Sequence, residues 1–121
     1  MVVKNKLSLL SDNEREALDS LVERLHAKHN GHIQSIVLFG SKARGDFGPD
    51  SDIDVVVVLD NDDPEMRMSV RGVAADVSLA YDVLISVRAI GRSHWRELSQ
   101  HRFPLYQAIV TDGIPLTENT K

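Results

Sequence analysis

The run "DIDVVVVLD", from Asp52 to Asp60, constrains the fold more than any other segment of this chain. Four consecutive valines favour extended backbone, and an unbroken apolar run implies a strand covered on both faces, at the centre of a sheet with helices on each side. The same run opens on two acids. Side chains alternate along a strand, so Asp52 and Asp54 point to one face while Ile53 and Val55 point to the other. Two ionised carboxylates side by side repel, which implies either a cation between them or a proton on one of them.

The remaining elements fit such a sheet. Ser11 and Glu14 form an S-x-x-E capping box, and Leu18, Leu21, Val22 and Leu25 follow at helical spacing, which predicts a helix over 13–28 that stops at Asn30 or Gly31. "IQSIVLF" (Ile33 to Phe39) reads as a strand bounded by glycines. After the turn "DNDDPE", Pro64 suits the first turn of a helix running to about Leu79, with Met66, Val70, Val73, Ala74 and Val77 on one stripe. "YDVLISV" (Tyr81 to Val87) reads as a third strand and "SHWRELSQ" as a short helix capped by Ser93. "PLYQAIVTDG" reads as a last helix ending near Gly113, and "IPLTENTK" as an extended tail. The order predicts a small α/β (α+β) fold on a mixed sheet, and it lacks the strict βαβαβ alternation of a dinucleotide-binding fold.

Composition narrows the function classes. The 121 residues suit one domain over 1–121. Cysteine is absent, which removes disulfides, thiolate metal sites and a cysteine nucleophile. No signal-peptide pattern and no membrane-spanning run occurs, so the expected location is cytoplasmic. A formal net charge of −4 argues against binding nucleic acid through many phosphates, but leaves room for a small phosphorylated ligand.

The candidate site lies around the opening acids. If the third strand pairs with the second, Asp82 stands on the same face as Asp52 and Asp54. Three carboxylates can hold two Mg²⁺ or Mn²⁺ ions about 4 Å apart, and one can accept a proton from an attacking hydroxyl. In the turn before the strand, Gly40 allows close backbone approach, Ser41 offers a hydroxyl and an N–H, and Lys42 and Arg44 add reach toward phosphate oxygens. A D-x-D pair alone is more often a solvated strand edge than a metal site, and the P-loop pattern is missing.

The combination is more specific. Gly40-Ser41, ten further residues, then Asp52-Ile53-Asp54 resembles the signature of the DNA polymerase β-like nucleotidyltransferase superfamily, and "GSKARGDFGPDSDIDVVVV" is similar to its minimal nucleotidyltransferase (MNT) branch. The resemblance implies that Asp52, Asp54 and Asp82 are catalytic residues and metal ligands for two Mg²⁺ ions. It implies that Gly40 and Ser41, with Lys42 and Arg44, hold the phosphates of an ATP substrate. The implied reaction moves a nucleoside monophosphate to a hydroxyl. Minimal members lack an acceptor domain and are often paired with an HEPN-domain toxin, so the resemblance implies an antitoxin that adenylylates such a partner, with a tyrosine as acceptor. A non-catalytic antitoxin that masks its toxin stands as the alternative. Small-molecule modification is disfavoured by the missing acceptor domain, and a homodimer stays open.

Other polar residues have simpler readings. His26, His29 and His32 recur every third residue, which drifts around a helix surface and fits the helix dipole better than a metal site. Trp95 is expected to pack its short helix onto the core. Asp60, Asp62, Asp63 and Glu65 form an acidic loop before a helix, and Asp46 and Asp50 are read as loop residues near the site. Arg71, Arg88 and Arg92 could each reach a nucleotide or a partner, and the sequence does not choose among them.

Overall fold

The computed structural model describes residues 9–46, 48 and 51–116. Helix α1 (Asp12–His29) begins where the capping box places it: Ser11 Oγ accepts from the Glu14 N–H at 3.0 Å, and Glu14 Oε1 accepts from the Ser11 N–H at 2.9 Å. Its buried stripe is Ala17, Leu18, Leu21 and Leu25, and the chain leaves it through Asn30 and a left-handed Gly31. Strand β1 (Ile33–Phe39) leads into a four-residue helix α2 (Ser41–Arg44), and strand β2 (Ile53–Leu59) follows. Helix α3 (Pro64–Tyr81) has Pro64 in its first turn and Asp63 as N-cap, whose Oδ1 accepts from the Glu65 N–H at 3.0 Å. Strand β3 (Ile85–Ile90), helices α4 (Arg92–Gln100) and α5 (Pro104–Asp112) and the two-residue strand β4 (Ile114–Pro115) complete the chain.

The sheet order is β3-β2-β1-β4. β1 runs antiparallel to both β2 and β4, whereas β2 and β3 are parallel, a pairing that requires the crossover through α3. Val55 to Leu59 are all buried, and the valines divide between two cores. Val55 and Val57 pack with Leu21, Leu25, Val70 and Val77 of α1 and α3. Val56 and Val58 pack with Phe39, Leu98 and Ile109 beneath α4 and α5, where Trp95 also lies, its ring centroid 5.4 Å from that of Tyr106. The sheet covered on both faces that the valine run predicts is therefore present. Among the described residues no helix is long and apolar enough to cross a membrane.

Two local expectations are corrected. The third strand starts at Ile85 rather than Tyr81, because α3 runs through Tyr81 and ends on Asp82 in the left-handed conformation (φ 54°). The turn is held by the Val83 N–H on the Ser78 carbonyl at 3.1 Å and the Ile85 N–H on Ser78 Oγ at 3.1 Å. Ser93 does not cap α4. Gly91 is its N-cap, and Ser93 donates its N–H and hydroxyl to Asp62 at 2.8 and 2.6 Å, which ties the acidic loop to the start of α4 and lowers the Asp62 pKa. Asp50 and the tail beyond Leu116 lie outside the described residues.

Candidate active site

The site forms where β1 ends beside the start of β2. Phe39 pairs with Asp54, so the next residue, Gly40, turns directly over the Asp54 side chain. Gly40 takes φ 78° and ψ −159°, a region open almost only to glycine. A β-carbon there would strike Asp54 Oδ2 and lie 3.2 Å from its Cγ. The backbone thus rests against the carboxylate, an approach that any side chain would block. Helix α2 follows at once, with the N–H groups of Ala43 and Arg44 both bonded to the Gly40 carbonyl at 3.1 Å.

Asp52 is exposed just before β2, and Asp54 is half-buried one residue inside it. Asp54 shares the face of Val56 and Val58, at the end of the α4/α5 layer. Burial and the neighbouring Asp52 charge push the Asp54 carboxyl above its ordinary range, and the opposing charges of Arg88 and Arg44 only partly offset this. The repulsion expected from the sequence is therefore present, and a cation with oxygen ligands would relieve it.

The basic residues divide. Lys42 turns inward: it is 4% exposed, and Nζ donates to Glu14 Oε2 at 2.7 Å. The reach toward phosphate read into Lys42 is thus not what this structure shows, because α1 packs an acid directly beneath α2. Arg44 stays at the surface, with Nε on Asp46 Oδ2 at 3.1 Å and Nη1 3.9 Å from Asp112 Oδ2.

Asp82 is not on the strand that was to bring it beside the other acids. It caps α3 three residues before β3. Among the described residues no group of three His, Cys, Asp or Glu side chains is placed to hold a metal ion. This also bears on the histidines: His29 Nε2 lies 2.9 Å from Ser69 Oγ and His32 Nδ1 3.2 Å from Asp60 Oδ1. On the face of Asp54 the nearest β3 residues are Ser86, opposite Asp54, and Arg88, opposite Val56. Sequence reasoning passed over Ser86 and left Arg88 undecided, because both depend on where β3 begins.

A mixed sheet that presents a Gly-Ser turn against a D-x-D strand end is the framework of a nucleotidyltransferase. Residues 18–103 match the nucleotidyltransferase domain family, and the chain belongs to it. A protein of Methanocaldococcus jannaschii named "Putative protein adenylyltransferase" is 48% identical over 50 residues, which cover 41% of this chain and 50% of that protein. The chain thus matches about half the length of that curated relative. Among solved structures, a toxin–antitoxin with AMP-PNP is 27% identical, covering 83% of this chain and 73% of the other, with a TM-score of 0.55. A mutant of the toxin–antitoxin MntA-HpeT is 25% identical, covering 82% and 72%, also with a TM-score of 0.55.

Proposed function

We propose that this protein transfers AMP from ATP to a hydroxyl of a partner protein, an HEPN-domain toxin, and acts as its antitoxin, with a tyrosine as the acceptor. The observation that carries the reading is the contact of Gly40 with Asp54, which holds the Gly-Ser turn against a crowded pair of carboxylates. The adenylyltransferase name of one relative and the AMP-PNP of one structural neighbour support the nucleotide, and the toxin–antitoxin neighbours support the partner.

In this reading the acceptor oxygen bonds to the α-phosphorus as the bond to pyrophosphate breaks, and the hydroxyl proton leaves to water. The Ser41 hydroxyl and N–H are the donors at this turn for the phosphates, since the N–H groups of Ala43 and Arg44 are taken by the Gly40 carbonyl. Arg44 adds positive charge at the same end of the sheet. Asp52 and Asp54 would hold Mg²⁺, which when bound supplies positive charge against the phosphate oxygens. Their mutual repulsion is the feature that fits a cation. Leu84, 62% exposed, has its carbonyl 2.9 Å from the Ile53 N–H, which sets apolar surface beside the acids and suits a protein acceptor.

The test incubates the chain with Mg²⁺, ATP and a candidate HEPN-domain partner protein, and reads the intact mass of that protein. A gain of one or more adenylyl units, abolished by Asp52→Asn with Asp54→Asn, is expected. No gain, together with a tight complex that the double variant also forms, would leave an antitoxin that acts by masking.

A further inference from the structure

The strand beside the two acids carries a cationic side chain on the face of Asp54. β3 pairs in parallel with β2, with Asp54 opposite Ser86 and Val56 opposite Arg88. Residues paired across a sheet share a face, and alternate residues of one strand share it too. Asp54, Ser86 and Arg88 therefore stand on one face. Strand spacing and rise put the Cα atoms of Asp54 and Arg88 about 8 Å apart, within reach of an arginine side chain. β3 is an edge strand, and Ser86 and Arg88 are both exposed on it. Arg44 is engaged by Asp46 and Asp112, whereas Arg88 makes no ion pair among the described residues.

From this register we infer that Arg88 is a nucleotide-contacting residue, whose guanidinium binds the phosphate chain from β3, one pleat beyond Ser86 on the Asp54 face. The inference rests on the proposed nucleotidyl transfer and names a further residue of that site. A planar, permanently charged fork on an open strand edge suits phosphate oxygens. Arg88 and Arg44 then approach the acid pair from opposite sides, one from β3 and one from the turn after β1. The left-handed cap keeps Asp82 on α3 and out of this set.

The experiment measures binding of Mg²⁺ with AMP-PNP by calorimetry to the intact chain and to Arg88→Ala, Arg88→Lys and Asp82→Asn, with melting temperatures alongside. The expected result is that Arg88→Ala weakens binding at least about tenfold, the scale of a lost charge-assisted hydrogen bond. Arg88→Lys should recover part of it and Asp82→Asn should bind as the parent does. Arg88 is exposed, so its melting temperature should hold. Parent-like binding by Arg88→Ala, or lost binding in Asp82→Asn at an unchanged melting temperature, would overturn the inference and leave the nucleotidyltransferase reading standing. A parent chain that binds no nucleotide would overturn both.

Discussion

Lys42 Nζ and Glu14 Oε2 meet at 2.7 Å across 28 positions of sequence and join the short helix of the site to the first helix of the fold. The lysine is almost wholly buried, while the Glu14 side chain keeps 18% of its exposure. Glu14 also closes the capping box, so one carboxylate serves a helix start and a buried cation.

The two roles are separable. Glu14→Gln retains a side-chain acceptor for the cap and removes the charge that faces Lys42, and should cost about 1–3 kcal/mol, below the ~3–5 kcal/mol of breaking a fully buried pair, because Glu14 is partly exposed. Glu14→Ala loses the cap bond as well and should cost about 1 kcal/mol more. Urea denaturation of the two variants beside the parent measures both differences.

The same pair gives a signed pH dependence. Burial of Glu14 opposes its ionisation, but the Lys42 hydrogen bond, the Ser11 N–H and the Lys42 charge outweigh this and lower its pKa from the ordinary 4.5. The folded chain releases this proton more readily than the unfolded one, so the contribution is complete above pH 4.5 and is lost as pH falls through the lowered folded value. The parent should lose stability over that acid range more steeply than Glu14→Gln. Equal slopes in pH-resolved denaturation would show that the pair adds nothing.

Gly40→Ala should damage both fold and site. The backbone conformation alone costs about 1–3 kcal/mol for a residue with a side chain. The new methyl group also collides with Asp54 Oδ2, so either the turn or the carboxylate must move. A lowered melting temperature together with weakened nucleotide binding is expected. Wild-type binding in a folded Gly40→Ala protein would remove the contact from the mechanism.

What the sequence disclosed was what depends on near neighbours. The capping box of Ser11 and Glu14, the Pro64 start and the stop near Gly113 are set by adjacent backbone groups. The two-sided burial of Val55 to Val58 follows from their unbroken apolarity. The Gly-Ser turn and the D-x-D acids were legible as one constellation because they flank a single connection. Lys42 misled because its direction is decided by where α1 docks. Asp82 misled because a left-handed cap and the Ser78 hydroxyl delay the strand, which hands the place beside Asp54 to Ser86. Register across a parallel pair is a tertiary property, and no local pattern carries it.

Asp54→Asn should separate stability from function. Burial and Asp52 raise the Asp54 pKa from 3.8, so at neutral pH the fold bears the strain of an ionised group it would rather protonate. The amide keeps the shape and removes that strain, and the gain is small because the group is only half-buried and solvent screens it. The variant should therefore melt slightly above the parent at neutral pH while losing transfer. The sign of the pH dependence follows from the raised value: protonated Asp54 suits the fold at low pH, and this advantage disappears as pH rises through the folded pKa. The difference between variant and parent should accordingly shrink toward pH 3.8. Melting curves from acid to neutral pH check the trend, and a variant less stable than the parent at neutral pH would mean that Asp54 holds the strand end together rather than straining it.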